Sequence, residues 1–309
     1  LYTDFEPYDA NRLFPCFDQP DLKATYAVDV VAPADWVVIS AAHPEKITQA
    51  GEGRRRWLFP ATQPFSTYIF SLHAGPYAEW KDHFNGMPLG LYARKSLAQY
   101  VDVEEWLTVT KQGFGFFNEY FDAPYPFGKY DQILVPDFNS GAMENVGSVT
   151  FSERYVPRAR PTPAERQDRA DVILHEMAHM WFGNLVTMKW WDDLWLNESF
   201  ASYMSAVAVH AATEFKDAWL DFNQGYKQWA YWEDQLVTTH PIEAVVPDTE
   251  QAFANFDGIT YGKGASTLKQ VAHLLGETQF RDGTRNYFKR HAFQNAKRAD
   301  FIGALADAA

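Results

Sequence analysis

The chain has 309 residues, 47% of them hydrophobic and 17% aromatic, with a formal net charge of −13 at pH 7. That length accommodates one large domain or two of ordinary size around a substantial core. The acidity excludes nucleic acid as a partner, the single cysteine (Cys16) excludes an internal disulfide and a cysteine-based zinc site, and no apolar run approaches the ~18 residues of a membrane span.

Residues 1–76 read as β-rich. Tyr26–Val31, Trp36–Ser40, Arg56–Phe59 and Tyr68–His73 are short β-branched or aromatic runs, punctuated by Pro33, Pro44, Gly51, Pro60 and Pro64. No initiator methionine is present and the chain opens inside what reads as a domain, so the natural N-terminus is expected to lie upstream. Arg54-Arg55-Arg56, the one dense basic run, follows Gly51-Glu52-Gly53 and is expected in a solvated hairpin turn. Cys16 is expected to be a small buried hydrophobe.

A domain boundary is placed near Gly75-Pro76, giving domains 1–76 and 77–309. Beyond it, strands are expected at Leu89–Arg94 and Asp131–Val135, flanking a helix from Asp102 to Phe121. Gly141-Ala142-Met143-Glu144-Asn145 lies between the second of these strands and another at Gly147–Phe151. Thr162-Pro163-Ala164-Glu165 is a helix start: Thr162 can cap, Pro163 fits the first helical position, and Glu165 can close a capping box. The helix is expected to run to Phe182 and stop at Gly183, and a second is expected from Asp193 to about Ala212. Further helices are expected at about Phe215–Gln235, Gly262–Leu275 and Glu277–His291, and in the tail from Ala299. Trp219, Trp229 and Trp232 sit at spacings that suit core packing or docking against a further domain. The class is α+β, with helices dominating late.

The chemistry is concentrated in His175-Glu176-Met177-Ala178-His179. Histidines at i and i+4 share one face of a helix, a turn apart, so both rings can reach one ion. A pair of core histidines would fit the same pattern. The capped helix and Glu198, 19 positions after His179 on the second helix, favour a ligand set of His175, His179 and Glu198. Three protein ligands leave a fourth position open, the mark of a catalytic zinc site. Glu176 stands beside the first ligand and can lean over the metal.

Five blocks then carry a resemblance. Gly-Ala-Met-Glu-Asn at 141–145, the zinc motif continuing to Met180-Trp181-Phe182-Gly183-Asn184, Trp195-Leu196-Asn197-Glu198-Ser199-Phe200-Ala201, Ile259-Thr260-Tyr261-Gly262-Lys263-Gly264-Ala265, and Phe14-Pro15-Cys16-Phe17-Asp18-Gln19-Pro20 stand in family order across nearly the whole chain. The sequence resembles the aminopeptidase N family of zinc metallopeptidases. The resemblance implies a partial N-terminal β domain followed by a thermolysin-like catalytic domain with a small sheet and a mainly helical second half. It implies one zinc ion, and removal of the N-terminal residue of peptides by zinc-activated water. Glu176 is the implied base and the Tyr261 hydroxyl the implied oxyanion donor. Glu6 and Glu144 are implied to bind the free amine, and Gly141, Ala142, Met143 and Asn145 to complete the strand that pairs with the peptide. The resemblance also implies a C-terminal helical domain beyond these residues, as in full-length members. Alternatives of the same fold are a non-catalytic zinc-binding scaffold and a thermolysin-like endopeptidase. The expected compartment is the cytoplasm of a bacterial-type cell, with periplasm or secretion as the alternative.

Two positions depart from the family pattern. Ser199 stands where many members have glycine, and Phe256 where some have a second tyrosine. Ala142 argues against epoxide hydrolase activity.

Overall fold

The computed structural model describes residues 1–309 as an α+β chain with twelve strands and nine α-helices. It divides into two compact units, one of Leu1–Thr108 with Pro126–Arg166, the other of Val109–Tyr125 with Gln167–Ala309.

The first unit holds ten strands: β1 (Val28–Pro33), β2 (Val37–Ile39), β3 (Lys46–Gln49), β4 (Arg54–Phe59), β5 (His73–Gly75), β6 (Tyr77–Phe84), β7 (Met87–Arg94), β8 (Tyr130–Val135), β9 (Ala142–Met143) and β10 (Ser148–Ser152). They form a sheet of order β1-β4-β3, a β2-β5 pair, and a five-stranded sheet of order β6-β7-β8-β10-β9. In the last sheet β7, β8 and β10 run parallel, and β9 closes one edge antiparallel to β10. Central strands are covered on both faces, and β8 and β10 are buried throughout. The hydroxyls that β10 buries have partners. Ser148 Oγ lies 2.7 Å from Ser71 Oγ, and Thr150 Oγ1 lies 2.9 Å from His73 Nε2 and 3.0 Å from Asn145 Nδ2. Lys129, also buried, donates to Asp131 at 2.6 Å and to the Gly147 carbonyl at 2.7 Å, which offsets the cost of removing its charge from water.

Several expectations are corrected here. Tyr68–His73 is not a strand: Thr67–Ile69 is a 3-10 turn and pairing begins only at His73. The Ser66 and Thr67 hydroxyls donate to the Pro20 carbonyl and to Asp18, both at 2.6 Å, tying this segment to a distant loop. Arg54–Arg56 open β4 rather than forming the turn, and Arg56 Nε donates to Asp29 on β1 at 2.9 Å. Cys16 is half-buried. Within this unit, Ile39 packs against Tyr92, Ile133 and Val135.

The second unit is helical. It holds most of α1 (Val103–Phe121) and α2 (Pro163–Ala178), then α3 (Trp195–Ala212), α4 (Ala218–Phe222), α5 (Gln228–Glu233), α6 (Thr249–Phe253), α7 (Gly264–Leu275), α8 (Glu277–His291) and α9 (Arg298–Ala306). Thr187–Met188 and Asn295–Ala296 add a small parallel pair, β11 and β12. The capping box is present: the Thr162 amide donates to Glu165 Oε2 at 2.7 Å and the Glu165 amide to Thr162 Oγ1 at 3.2 Å. The regular part of α2 stops at Ala178, before the expected Phe182, as Met180 and Trp181 turn back onto Met177 and Ala178. The expected helix over 215–235 is α4 and α5 joined by a π-helical turn at Asn223–Lys227, and a second π-turn, Ile259–Lys263, precedes α7. The core is aromatic. Phe182 stacks on Phe200 at 4.2 Å between ring centroids and meets Phe288 at 4.7 Å and Phe121 at 5.6 Å. Trp229 and Trp232 are exposed at the surface, not packed in that core, and Trp219 lies under the Lys269 ammonium. No helix is long and apolar enough to cross a membrane.

Candidate active site

The site residues expected from the sequence fall into two sets, one in each unit. Glu6 and Gly141–Asn145 belong to the first, and His175, Glu176, His179, Glu198 and Tyr261 to the second.

In the first unit Glu6 and Glu144 come together, with carboxylate oxygens within 4.8 Å of each other. Glu144 is buried and follows directly on β9. Beside them the Asp4 carboxyl is pushed up to about 6, by desolvation first and then by the charges of Glu144 and Asp9. β9 reaches its position through β10, with Met143 opposite Thr150 and Ala142 opposite Phe151. Gly141 accepts from the Ser152 amide at 2.9 Å. A side chain on Gly141 would come within 2.8 Å of Arg154 Nη2 and 2.9 Å of the Tyr155 hydroxyl, so the ends of those two side chains would have to move aside. As the edge of its sheet, β9 presents its outer backbone groups for strand addition.

In the second unit three donor atoms converge. His175 Nε2 and His179 Nε2 are 3.1 Å apart, and each lies 3.3 Å from Glu198 Oε2. A tetrahedron with arms of the ~2.0–2.1 Å found for zinc has edges of about 3.3–3.4 Å, so these separations suit three ligands of one ion. The chemistry of the donor set agrees. His179 Nδ1 faces Asn197 Oδ1 at 2.6 Å and the Phe182 carbonyl at 3.1 Å. Two acceptors require the proton on Nδ1, which leaves the Nε2 lone pair for a metal. Burial opposes the charge of Glu198, but the His179 and His175 rings beside it outweigh that and hold the carboxyl well below the ordinary glutamate range. Glu176 is buried, with an oxygen within 4.8 Å of a His179 ring nitrogen. Tyr261, in the second π-turn, stacks against His175 at 6.1 Å between ring centroids.

Sequence reasoning assigned no role to three residues that shape this set. Asn197 orients His179. Its space depends on Gly183, where φ is +117° and a side chain would approach Asn197 Oδ1 to 2.2 Å. Asp257 Oδ1 accepts from the Ile259 and Thr260 amides at 3.0 Å each and so caps the π-turn. Ser199, noted only as a departure, donates to the Thr260 carbonyl at 2.5 Å. Asn197 and Ser199 flank Glu198, and that adjacency was the available signal.

Comparison with known proteins agrees with the motifs. The model of the Peptidase family M1 domain matches residues 106–309, and that of the Peptidase M1 N-terminal domain matches residues 1–69. Aminopeptidase N of Streptomyces lividans is 49% identical over 314 residues, covering 99% of this chain and 36% of the relative. Glutamyl aminopeptidase of Bos taurus is 38% identical, covering 99% and 32%. Tricorn protease-interacting factor F2 of Thermoplasma acidophilum is 37% identical, covering 99% and 39%. The chain thus spans about a third of the length of the curated relatives it matches. On these matches and the motifs that carry them, the chain belongs to peptidase family M1.

Proposed function

We propose that this chain carries the catalytic centre of an aminopeptidase, with one zinc ion held by His175, His179 and Glu198. The observation that carries the reading is the convergence of three ligand atoms at tetrahedral separations, with His179 held in the metal-binding tautomer. The family is zinc-dependent. When bound, zinc supplies a Lewis acid that polarises the scissile carbonyl and brings the pKa of water towards neutrality.

Glu176 takes a proton from the attacking water and returns it to the leaving amine. The Tyr261 hydroxyl donates to the oxygen on which negative charge develops, an interaction worth about 10²–10³ in rate. Glu6 and Glu144 receive the free ammonium of the substrate, and the outer edge of β9 pairs with its backbone. The proximity of the two carboxylates supports this role, because an ammonium between them relieves their repulsion. A blocked N-terminus brings no positive charge to this pair and so forgoes that attraction.

The test compares a leucine or alanine amide bearing a free amine with its N-acetylated twin, using the intact zinc-loaded enzyme. The free amine is expected to be favoured at least ~100-fold in kcat/KM, and Glu144→Gln to narrow the gap by raising KM. Equal cleavage of both substrates overturns the exopeptidase reading. Glu176→Gln is expected to lower kcat by about 10²–10⁴ with zinc retained, and turnover near wild type would remove Glu176 as the base.

A further inference from the structure

We propose that Ser199 is a positioning residue that ties the zinc-binding helix to the turn carrying Tyr261. The inference rests on the roles of Glu198 and Tyr261 given above. Three consecutive residues of α3 reach three different partners. Asn197 takes His179 Nδ1, Glu198 faces both Nε2 atoms, and Ser199 Oγ donates to the Thr260 carbonyl at 2.5 Å. Ser199 and Thr260 are both buried, so water does not compete for this bond.

Thr260 immediately precedes Tyr261 in the π-turn, and both of its peptide groups are held. Its amide donates to Asp257 Oδ1 at 3.0 Å while its carbonyl accepts from Ser199. The bond from Ser199 falls on the peptide that links Thr260 to Tyr261, so it fixes the plane from which the tyrosine side chain departs. A π-turn has wider hydrogen-bonded rings than an α-helix and needs such outside support to keep one geometry.

The fit is steric as well. A side chain on Gly264, which follows the turn, would come within 1.9 Å of Ser199 Oγ and 2.8 Å of Ser199 Cβ, and the next neighbour is Ile242 Cγ2 at 3.6 Å. A serine at 199 therefore demands a glycine at 264. The joint brings the ligand helix and the tyrosine turn to a separation that neither residue would permit with a larger partner.

The test is a double-mutant cycle in the intact zinc-loaded enzyme. Ser199→Ala is expected to lower kcat roughly tenfold, with KM and zinc content unchanged, since small misplacements of a catalytic group cost rate before binding. The effect is expected to vanish in a Tyr261→Phe background. Independently of activity, amide hydrogen exchange over residues 259–264 is expected to quicken in Ser199→Ala. Gly264→Ala alone is expected to destabilise the fold, whereas Ser199→Gly with Gly264→Ala folds but keeps the low kcat. An unchanged kcat and unchanged exchange in Ser199→Ala overturn the proposal, as does an equal loss of kcat in both backgrounds. Should Tyr261→Phe itself retain full kcat, the oxyanion role of Tyr261 falls. The exchange rates then decide the tether alone: faster exchange upholds it and unchanged exchange overturns it.

Discussion

Each nitrogen of the His179 ring has its own partner one residue apart on α3, Nδ1 with Asn197 and Nε2 with Glu198. Asn197→Ala removes the acceptor that keeps the proton on Nδ1. It is expected to weaken zinc binding by about 10–100-fold, measured by competition with a chromophoric chelator. An unchanged affinity would mean that the Phe182 carbonyl alone sets the tautomer. Among single residues, the place of Glu198 beside His175 and His179 was legible from its spacing on a second helix. Asn197 was not, since its role depends on which of two neighbouring side chains meets which ring nitrogen. Gly183 was legible as a helix stop. Its second role, leaving room for Asn197, needs the fold.

Among the elements, the helices with strong local signals were readable in advance. The capping box at Thr162, the glycine-free run of α3 and the boundaries of α1 and α8 are determined within a few residues of chain. Strands β3 and β6 were not foreseen. β3 is a polar, exposed edge, and β6 spaces its aromatic residues at 77, 80 and 84, out of step with a period of two. The π-turns arise from packing between distant segments: a side chain on Gly262 would strike the Tyr226 carbonyl at 2.2 Å. Tyr226 also donates to Asp171 on α2 at 3.2 Å. Burial pushes the Asp171 carboxyl up to about 6, despite hydrogen bonds from Ser205 and Tyr226 that favour its charge. The folded chain therefore holds this proton more tightly than the unfolded one. The associated stability is present below about pH 4 and is lost as pH rises through about 6. Asp171→Asn is thus expected to raise Tm at pH 7.5, by an amount corresponding to at most ~3 kcal/mol, and to leave it little changed at pH 4. Thermal unfolding at the two pH values checks both halves.

At the scale of the molecule, the sequence conveyed the α+β class and the late dominance of helices. It did not convey that residues 1–108 and 126–166 fold together, because side-chain pairs distant in sequence decide compactness. Within the first unit, Ser71 meets Ser148, His73 meets Thr150, and the Val146 amide donates to the Ile69 carbonyl at 3.1 Å. A fragment starting at residue 77 would strip β10 of Ser71 and His73 and take Ile39 away from Ile133 and Val135 of β8. Such a fragment is expected to bind a hydrophobic dye and to unfold without a sharp transition, where residues 1–309 melt cooperatively. A cooperative melt of the fragment would show that the long-range bonds are dispensable.

The turn at Ile259–Lys263 holds one residue more than an α-helix needs to cover the same rise. Each residue advances a helix by about 100°, so that extra residue sets the angular phase of everything before it relative to α7. The aim of Tyr261 is therefore encoded in chain length at a single point. A relative one residue shorter here would keep a continuous helix and point its tyrosine elsewhere. A one-residue gap in an alignment at this turn then separates chains that share the scaffold from chains that share the chemistry.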